Sequence, residues 1–506
     1  MQASGSIMQE KTLSVHHDTR NKMLMGLLNA HGYCVPHGRT LLLETALANA
    51  VVENTRQFQG LYVPPFLKKG AFVFFAANNT DFVEDTADGK GTTHGTIVAV
   101  YRKADAAGEP IAQPLTIGDA KSLSVTPYHV NIIHCDKPKP QPNKRTNEFA
   151  VNKQGISGNY QLTHMGWLIA SAVSRLKEGE DSRKIPCWAG YNSLMSTSKS
   201  VTQVGALPLL PEVVHEWSTL ITVIEQTSQL RHLAVGETHP TVISFDMALY
   251  KKIVQLIDSR PDLKRTVVPR LGELHVVMAA LRALGVFIEN SGIDDAWIEA
   301  DVYGAATTRQ ILKCTHYKCS LRGHIYSYVA LYEIALEEFF KENPQLKDIC
   351  WEAIEQVEAA CSEKNKSAKA EFVAASRNAD LALHLQAAEA LNKFFFAFDR
   401  VKYKRLWPRY ITDMYDLRIN HPDTWKELEA GNLSVTKNDI PFVSIGADHA
   451  CEHLNKMMNV YSGLVGISNN ANARQRFFMA SPELSRMSGK FKSQFGTGAG
   501  GKDTES

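Results

Sequence analysis

Val443-Ser-Ile-Gly-Ala-Asp448-His449-Ala-Cys-Glu452-His453-Leu-Asn455 is the stretch on which the reading of the fold turns. A short apolar run ends at Gly446 and a helix is expected to follow, with Asp448 and Glu452 stacked on one face and His449 and His453 beside them. What precedes it gives the stretch its weight. From about Ser291 to Met414 the chain reads as helical almost throughout, with periodic apolar and charged positions in Ser327–Lys341, Trp351–Lys364 and Ala382–Arg400. A strand-like run at Pro441–Ile445 after so long an all-α block returns the chain to an α/β core, so the block reads as inserted rather than appended.

The core begins upstream of that block. Met23, Leu27, Leu28, Leu41, Leu42 and Ala46 recur at helical spacing until Pro64-Pro65 breaks the pattern. Gly70-Ala-Phe-Val-Phe-Phe-Ala-Ala77 then reads as a buried strand that stops at Asn78-Asn-Thr-Asp81. Thr92–Arg102 and Tyr128–Ile133 are expected to complete an antiparallel meander, and Asp88–Gly95 to form the hairpin loop between the first two strands. Val213–Leu230 reads as a helix. Thr241-Val-Ile-Ser-Phe245 is a further strand that delivers Asp246 at its end, followed by a helix, a strand over Arg265–Leu271 and an amphipathic helix through Leu284. The expected organisation is an N-terminal helical segment (1–65), a mixed α/β core (66–290), an all-helical insertion (291–440), completion of the core by the acid-histidine helix (441–490) and a Gly/Ser/Thr-rich tail (491–506).

Composition narrows the class without naming it. Of 506 residues 44% are hydrophobic and 21% charged, ordinary for a globular protein, and the formal charge of +2 gives no global pull on nucleic acid or membrane. Local basic runs at Lys137–Arg145 and Arg400–Arg409 leave room for a local patch. No apolar run approaches a bilayer span, and no signal-peptide pattern opens the chain. The eight cysteines are scattered without paired C-x-x-C arms, which indicates reduced thiols in the nucleus or cytoplasm. Cys314-Thr-His316-Tyr-Lys-Cys319 with His324 offers zinc-capable groups, but at a spacing that matches no standard site.

Three constellations carry chemistry. Acids at separated strand and helix ends, in the Asn78–Asp85 turn, at Asp246 and at Asp448 or Glu452, are able to hold two divalent cations, Mg or Mn, that clamp the oxygens of a phosphodiester. That is the logic of ribonuclease-H-like nucleases and transposases, and the order of elements fits it. Alternatively, His449-Ala-Cys-Glu452-His453 matches H-x-x-E-H, in which His449 and His453 would bind zinc and Glu452 would activate water. Finally, Glu273 and His275 follow the strand after Asp246 and are expected to support the same face, along with Asp448 and Asn455.

Several phrases together resemble a known group: Asn78-Asn-Thr-Asp81-Phe-Val-Glu84-Asp85-Thr with Gly89-Lys-Gly-Thr-Thr-His94, Trp188-Ala-Gly-Tyr-Asn192-Ser, Ser244-Phe-Asp246-Met-Ala-Leu-Tyr250, Leu271-Gly-Glu273-Leu-His275, Glu299-Ala-Asp301-Val-Tyr-Gly, Ala447-Asp448-His449-Ala-Cys-Glu452-His453-Leu-Asn455 and Gly463-Leu-Val-Gly466-Ile. From about Gly32 to Arg486 the chain resembles uncharacterised animal proteins derived from mobile elements. The resemblance implies a ribonuclease-H-like core, similar in layout to hAT transposases, whose catalytic domain is split by a helical insertion before its last glutamate. By it, Asp246 would be the second metal acid and Glu452 the third, with DNA as partner and self-association as a further expectation. The family strand usually ends in Asp-Asn, whereas this one ends in Asn78-Asn79, and an amide is a poorer ligand for a hard dication. Asp81 is the candidate substitute; otherwise the chain is a repurposed copy without catalysis. The other classes are a zinc hydrolase and a non-enzymatic nuclear interaction protein whose helical block binds partners.

Overall fold

The computed structural model describes residues 2–83, 92–139, 158–176, 185–194, 196–350, 352, 372–458 and 470–494. Glu84, Asp85, residues 88–91 of the expected 88–95 loop, the Trp351–Lys364 helix apart from Glu352, the phrase beginning at Gly463 and the 496–506 tail lie outside them; Thr92–Gly95, expected in that loop, are strand paired with Thr80–Val83. The chain is a mixed α/β protein that divides into two compact units.

One unit comprises residues 1–144, 201–272 and 447–500. Its centre is a five-stranded sheet of β1 (Phe74–Val83), β2 (Thr92–Lys103), β3 (Thr202–Ala206), β4 (Thr241–Phe245) and β5 (Val267–Leu271), in the order β3-β2-β1-β4-β5. β2 runs antiparallel to both β1 and β3, while β1, β4 and β5 are parallel. Every residue of β4 is buried, as are Phe74 to Ala77 of β1, so both sheet faces are covered and the strands read as continuous apolar runs. The helices Trp217–Val235, Met247–Ser259 and Ala447–Lys456 supply that cover.

Two expectations about strands are corrected. β1 does not stop at Asn78 but continues to Val83, because Asn78 to Val83 pair in register with Ile97 back to Thr92. Nor is Tyr128–Ile133 a strand. It is tied down by side chains: the Tyr128 hydroxyl donates to the Gly60 carbonyl at 2.9 Å and the Ile133 N–H donates to Thr222 Oγ1 at 2.9 Å. β3 takes its place beside β2.

The same unit holds the helices Gln2–Thr19, His37–Gln57 and Ala471–Gln494 around a buried carboxylate. Glu44 is 2.7 Å from His16 Nδ1, 3.1 Å from Arg20 Nη1 and 3.7 Å from Arg476 Nε. Burial would raise its carboxyl, but the Arg20 charge and the His16 hydrogen bond outweigh that and hold it down at about 2.

The other unit comprises residues 145–200, 273–446 and 501–506. Among the described residues its regular structure is helical apart from a two-stranded ribbon of β6 (Ser434–Val435) and β7 (Ile445–Gly446). Of the run expected to rejoin the core sheet at Pro441–Ile445, only Ile445 is strand, and β7 pairs with β6 and with no core strand among the described residues. Helical character sets in at Glu273 rather than Ser291, and the Trp188–Leu194 helix belongs to this unit as well. Its centre is aromatic: Trp407 stacks on Tyr410 at 5.0 Å and meets Phe395 edge-on at 5.8 Å.

Candidate functional site

The parallel pairing of β1, β4 and β5 sets the carboxyl ends of β4 and β5 level with the middle of β1. Ala76 lies opposite Ser244, and Phe245 opposite Leu271, so continuing the register two residues sets Asn78 level with Asp246 and Gly272. This is the edge of the sheet at which open α/β folds collect functional groups. The helix Ala447–Lys456 crosses it, packing on β1, β2 and β4. Two contacts fix the start of that helix. The buried Tyr101 hydroxyl donates to the Ala447 carbonyl at 2.8 Å, and Asp448, 5% exposed, sits against Gly272. A Cβ at Gly272 would lie 2.5 Å from Asp448 Oδ2, so only glycine admits the carboxylate there.

One turn later the helix reaches β1. Asn78 Nδ2 donates to Glu452 Oε1 at 2.7 Å, and the Asn78 amide oxygen accepts the Asn79 N–H at 2.8 Å. Asn455 completes the clasp, accepting the Thr80 hydroxyl and donating to the Asn79 carbonyl at 3.1 Å. Just ahead of Glu452 and beside the Ala76 carbonyl lies Cys451, fully buried, its thiol pushed up chiefly by burial and then by Glu452 and Asp448.

Asp246 ends β4 and caps the next helix, its Oδ1 accepting the Leu249 N–H at 2.7 Å. It is half-buried, and its second oxygen has no hydrogen bond among the described residues. Asp81, the candidate substitute for Asn78, points elsewhere. Side chains alternate along a strand, so Asp81 shares a face with Asn79 and not with Asn78 and Thr80. Its carboxylate is 2.7 Å from His94 Nδ1. Burial would raise Asp81, but the hydrogen bonds from His94 and Asn79 and the charges of His94 and His215 hold it below the usual carboxylate range.

The remaining candidates divide. His449 and His453 stand one turn apart with ring centroids 4.6 Å apart. Among the described residues no three His, Cys, Asp or Glu side chains converge as a metal-holding group, so no third zinc ligand joins them. Glu273 and His275 begin the helical unit. There Glu273 Oε1 lies 3.6 Å from His384 Nδ1, His384 Nε2 meets the Tyr410 hydroxyl at 2.8 Å, and the Tyr403 hydroxyl donates to the His275 carbonyl at 2.9 Å.

Thr80, Tyr101 and His384 were not anticipated from sequence. Extending β1 by alternation through its polar half would have set Thr80 beside Asn78; no local signal marks Tyr101 or His384.

A family profile described as a domain of unknown function, DUF8702, matches residues 187–371 and 368–504, more than half of the chain. The chain belongs to the DUF8702 family. The matched region of this DUF8702 protein includes Asp246, Gly272, Asp448, Glu452 and Asn455, but not β1 with Asn78 and Thr80. No curated protein and no solved structure matches the chain.

Proposed function

We propose that this DUF8702 protein is a transposase-derived protein with a ribonuclease-H-like core that engages DNA without cutting it. The sheet order β3-β2-β1-β4-β5, with only β2 running against its neighbours, supports the core assignment. So does the alignment of Asn78, Asp246 and Glu452 at one sheet end. DNA as the partner rests on analogy with that fold.

The single observation that carries the non-cleaving reading is the hydrogen bond from Asn78 to Glu452. A divalent cation needs oxygen from both neighbours. Here an N–H donor faces Glu452, and the neutral Asn78 oxygen bonds the Asn79 N–H instead of joining Glu452. The residues present therefore do not fit the Mg or Mn pair. Zinc is a weaker fit still, with His449 and His453 lacking a third ligand among the described residues.

The test is a strand-cleavage and gel-shift comparison in Mg2+ or Mn2+. The parent is expected to bind duplex or single-stranded DNA and leave it intact. Cleavage by the parent that disappears in Asp246→Asn and Glu452→Gln would overturn the non-cleaving reading. Absence of any DNA binding would remove DNA as the partner. A second reading, an interaction protein, draws support from Leu331, Ile334 and Phe339, large apolar residues exposed along the Tyr317–Glu342 helix. No single helix among the described residues is long and apolar enough to cross a membrane.

A further inference from the structure

The basic run at Arg400–Arg409 takes no part in the strand-end centre, and in the helical unit it adjoins an aromatic one. The rings fall into two sets. One set is enclosed: buried Phe395 lies 4.8 Å from the Tyr403 ring and 5.8 Å from that of Trp407. The Tyr403 hydroxyl donates to the His275 carbonyl at 2.9 Å and the Trp407 indole to the Ala388 carbonyl at 2.8 Å, which ties the helices Glu273–Ile288, Leu381–Ala397 and Val401–Asn420 together. The other set is left on the surface. Phe394 and Phe398, one turn apart, hold their rings 4.6 Å from each other, and Phe398 meets Phe287 edge-on at 5.9 Å. Phe287 is 66% exposed and its neighbour Val286 56%, while Phe394 and Phe398 are half-buried. A fixed backing thus presents a short aromatic wall to solvent, the kind of exposed apolar surface that marks an interaction site.

The wall has a positive rim. From Lys393 to Arg409 six basic residues stand against one acid, Asp399. Asp399 pairs with Lys404, which brings that ammonium to the residue after Phe398. Lys393, next to Phe394, is exposed, and so are Lys402 and Arg405 in the first two turns of the helix that follows Phe398. On the Phe287 side, Arg282 stands one turn before Val286 and donates to the Lys313 carbonyl at 3.2 Å; both cations are exposed, as is Glu289, the acid that follows that helix.

The sign of the rim selects the occupant. In a two-fold contact between copies of the chain the patch would meet itself and set positive rims face to face. A lipid surface is met by one long amphipathic helix, whereas this wall is assembled from ring faces and edges of two helices. Unpaired bases stack on such rings while their phosphates lie against lysine and arginine, so a single ligand uses both features. In a duplex the bases are stacked on one another and do not reach the wall.

We infer that the wall of Phe287, Phe394 and Phe398, with Lys393, Lys402 and Arg405 on its rim, is a binding surface for single-stranded nucleic acid on the helical unit. The inference goes beyond the reading of the core and does not rest on it, since the surface shares no residue with the strand-end centre.

The full-length chain is titrated with a fluorescent oligothymidylate and with a fluorescent DNA duplex, followed by anisotropy across a range of salt, and with vesicles of phosphatidylserine and phosphatidylcholine, followed by co-sedimentation. Phe287→Ala and the double variant Lys402→Gln with Arg405→Gln, all at exposed positions, are compared with the parent, and circular dichroism checks that each is folded. The parent is expected to bind oligothymidylate more tightly than duplex. Loss of one stacking ring is expected to weaken oligothymidylate binding about tenfold in Phe287→Ala. Loss of two phosphate contacts is expected to reduce the slope of log affinity against log salt by about 1.4 in the double variant, a change that a merely structural role would not produce. Oligothymidylate binding that is unchanged in both folded variants overturns the surface while leaving DNA as a partner of the core, and so does duplex binding without oligothymidylate binding. Vesicle binding without oligothymidylate binding overturns it in favour of a lipid surface, and binding of no probe overturns it outright. Should Phe287→Ala fail to fold, the salt slope of the double variant decides alone.

Discussion

Replacing Asn78 with aspartate sets a carboxylate against Glu452 Oε1, where an amide now donates at 2.7 Å. Two unit negative charges about 3 Å apart repel by about 5 kcal/mol at an effective dielectric of about 20. Both positions are half-buried, so solvent reduces that figure substantially; with the lost hydrogen bond included, the deficit at neutral pH is about 3 kcal/mol. The pair escapes part of this by sharing a proton, which raises its apparent pKa above that of the unfolded chain. A raised folded-state pKa means the deficit is small below the unfolded carboxylate range, about 4, and grows as pH rises through the raised value. A divalent cation between the two carboxylates would reverse it, by about 2.7 kcal/mol at a hundred times the dissociation constant. The measurement is urea unfolding of Asn78→Asp and the parent at neutral and acidic pH, with and without Mn2+. Expected are a variant weaker than the parent at neutral pH, near parity in acid, and rescue by Mn2+ of the variant alone. If Asn78→Asp matches the parent at neutral pH, or if Mn2+ stabilises the parent equally, the role assigned to the amide is wrong.

Other perturbations test separate contacts. Glu44→Gln leaves Arg20 and Arg476 beside a neutral amide and is expected to cost about 3 kcal/mol in urea unfolding. Because the Glu44 carboxyl is lowered from 4.5 to about 2, its contribution is present above 4.5 and lost as pH falls towards 2, and an acid titration of Glu44→Gln should lack that component. Buried His324, 8% exposed, is held down at about 4 by burial, so protonating it costs stability as pH falls from 6.5 to 4; stability in that window should flatten in His324→Leu. Gly272→Ala drives a methyl into the Asp448 carboxylate and is expected to destabilise by about 1–3 kcal/mol, measured by thermal melting. Asn455→Ala removes the bonds to Thr80 and the Asn79 carbonyl and is expected to cost about 1–2 kcal/mol and to speed hydrogen exchange at Asn79 and Thr80.

The strands most legible in the sequence are those that bury both faces. Phe74 to Ala77 and Thr241 to Phe245 are buried throughout, and such a run is readable without knowing its neighbours, whereas Val267 to Leu271, at the sheet edge and half-buried at Val268 and Pro269, is read from its paired valines. β3, Thr-Gln-Val-Gly-Ala, carries a Gly and a Gln where a strand signal needs branched or aromatic residues. Its Gly205 is there because Phe66 packs against it: a Cβ would meet Phe66 Cε1 at 2.4 Å. Tyr128–Ile133 has the stronger strand composition yet lies outside the sheet, held by one helix, Trp217–Val235, whose Thr222 hydroxyl accepts the Ile133 N–H and whose Ser218 hydroxyl accepts the Cys135 N–H just beyond. In both places tertiary contacts decided against local propensity.

The candidate site was legible in its acids and illegible in its polarity. Asp246 and Glu452 stand out from spacing and position, and the register of β1 against β4 sets Asn78 level with Asp246. What spacing does not reveal is which atom of Asn78 faces Glu452. An amide is both donor and acceptor, and its orientation follows from the Asn79 N–H, which occupies the oxygen and turns the nitrogen towards the helix. That backbone N–H is available because Asn79 lies opposite Thr96 in a pair that exchanges no hydrogen bonds, the Thr96 backbone bonding Leu210 on its other side. The polar half of β1, which has the composition of a turn, is thus what converts the first ligand position into a hydrogen-bond donor. Asn79→Pro, which deletes that N–H, is expected to free the Asn78 oxygen while also disturbing the pairing with Thr96. Asn78→Asp is the cleaner probe, because it changes the polarity and leaves the ladder intact.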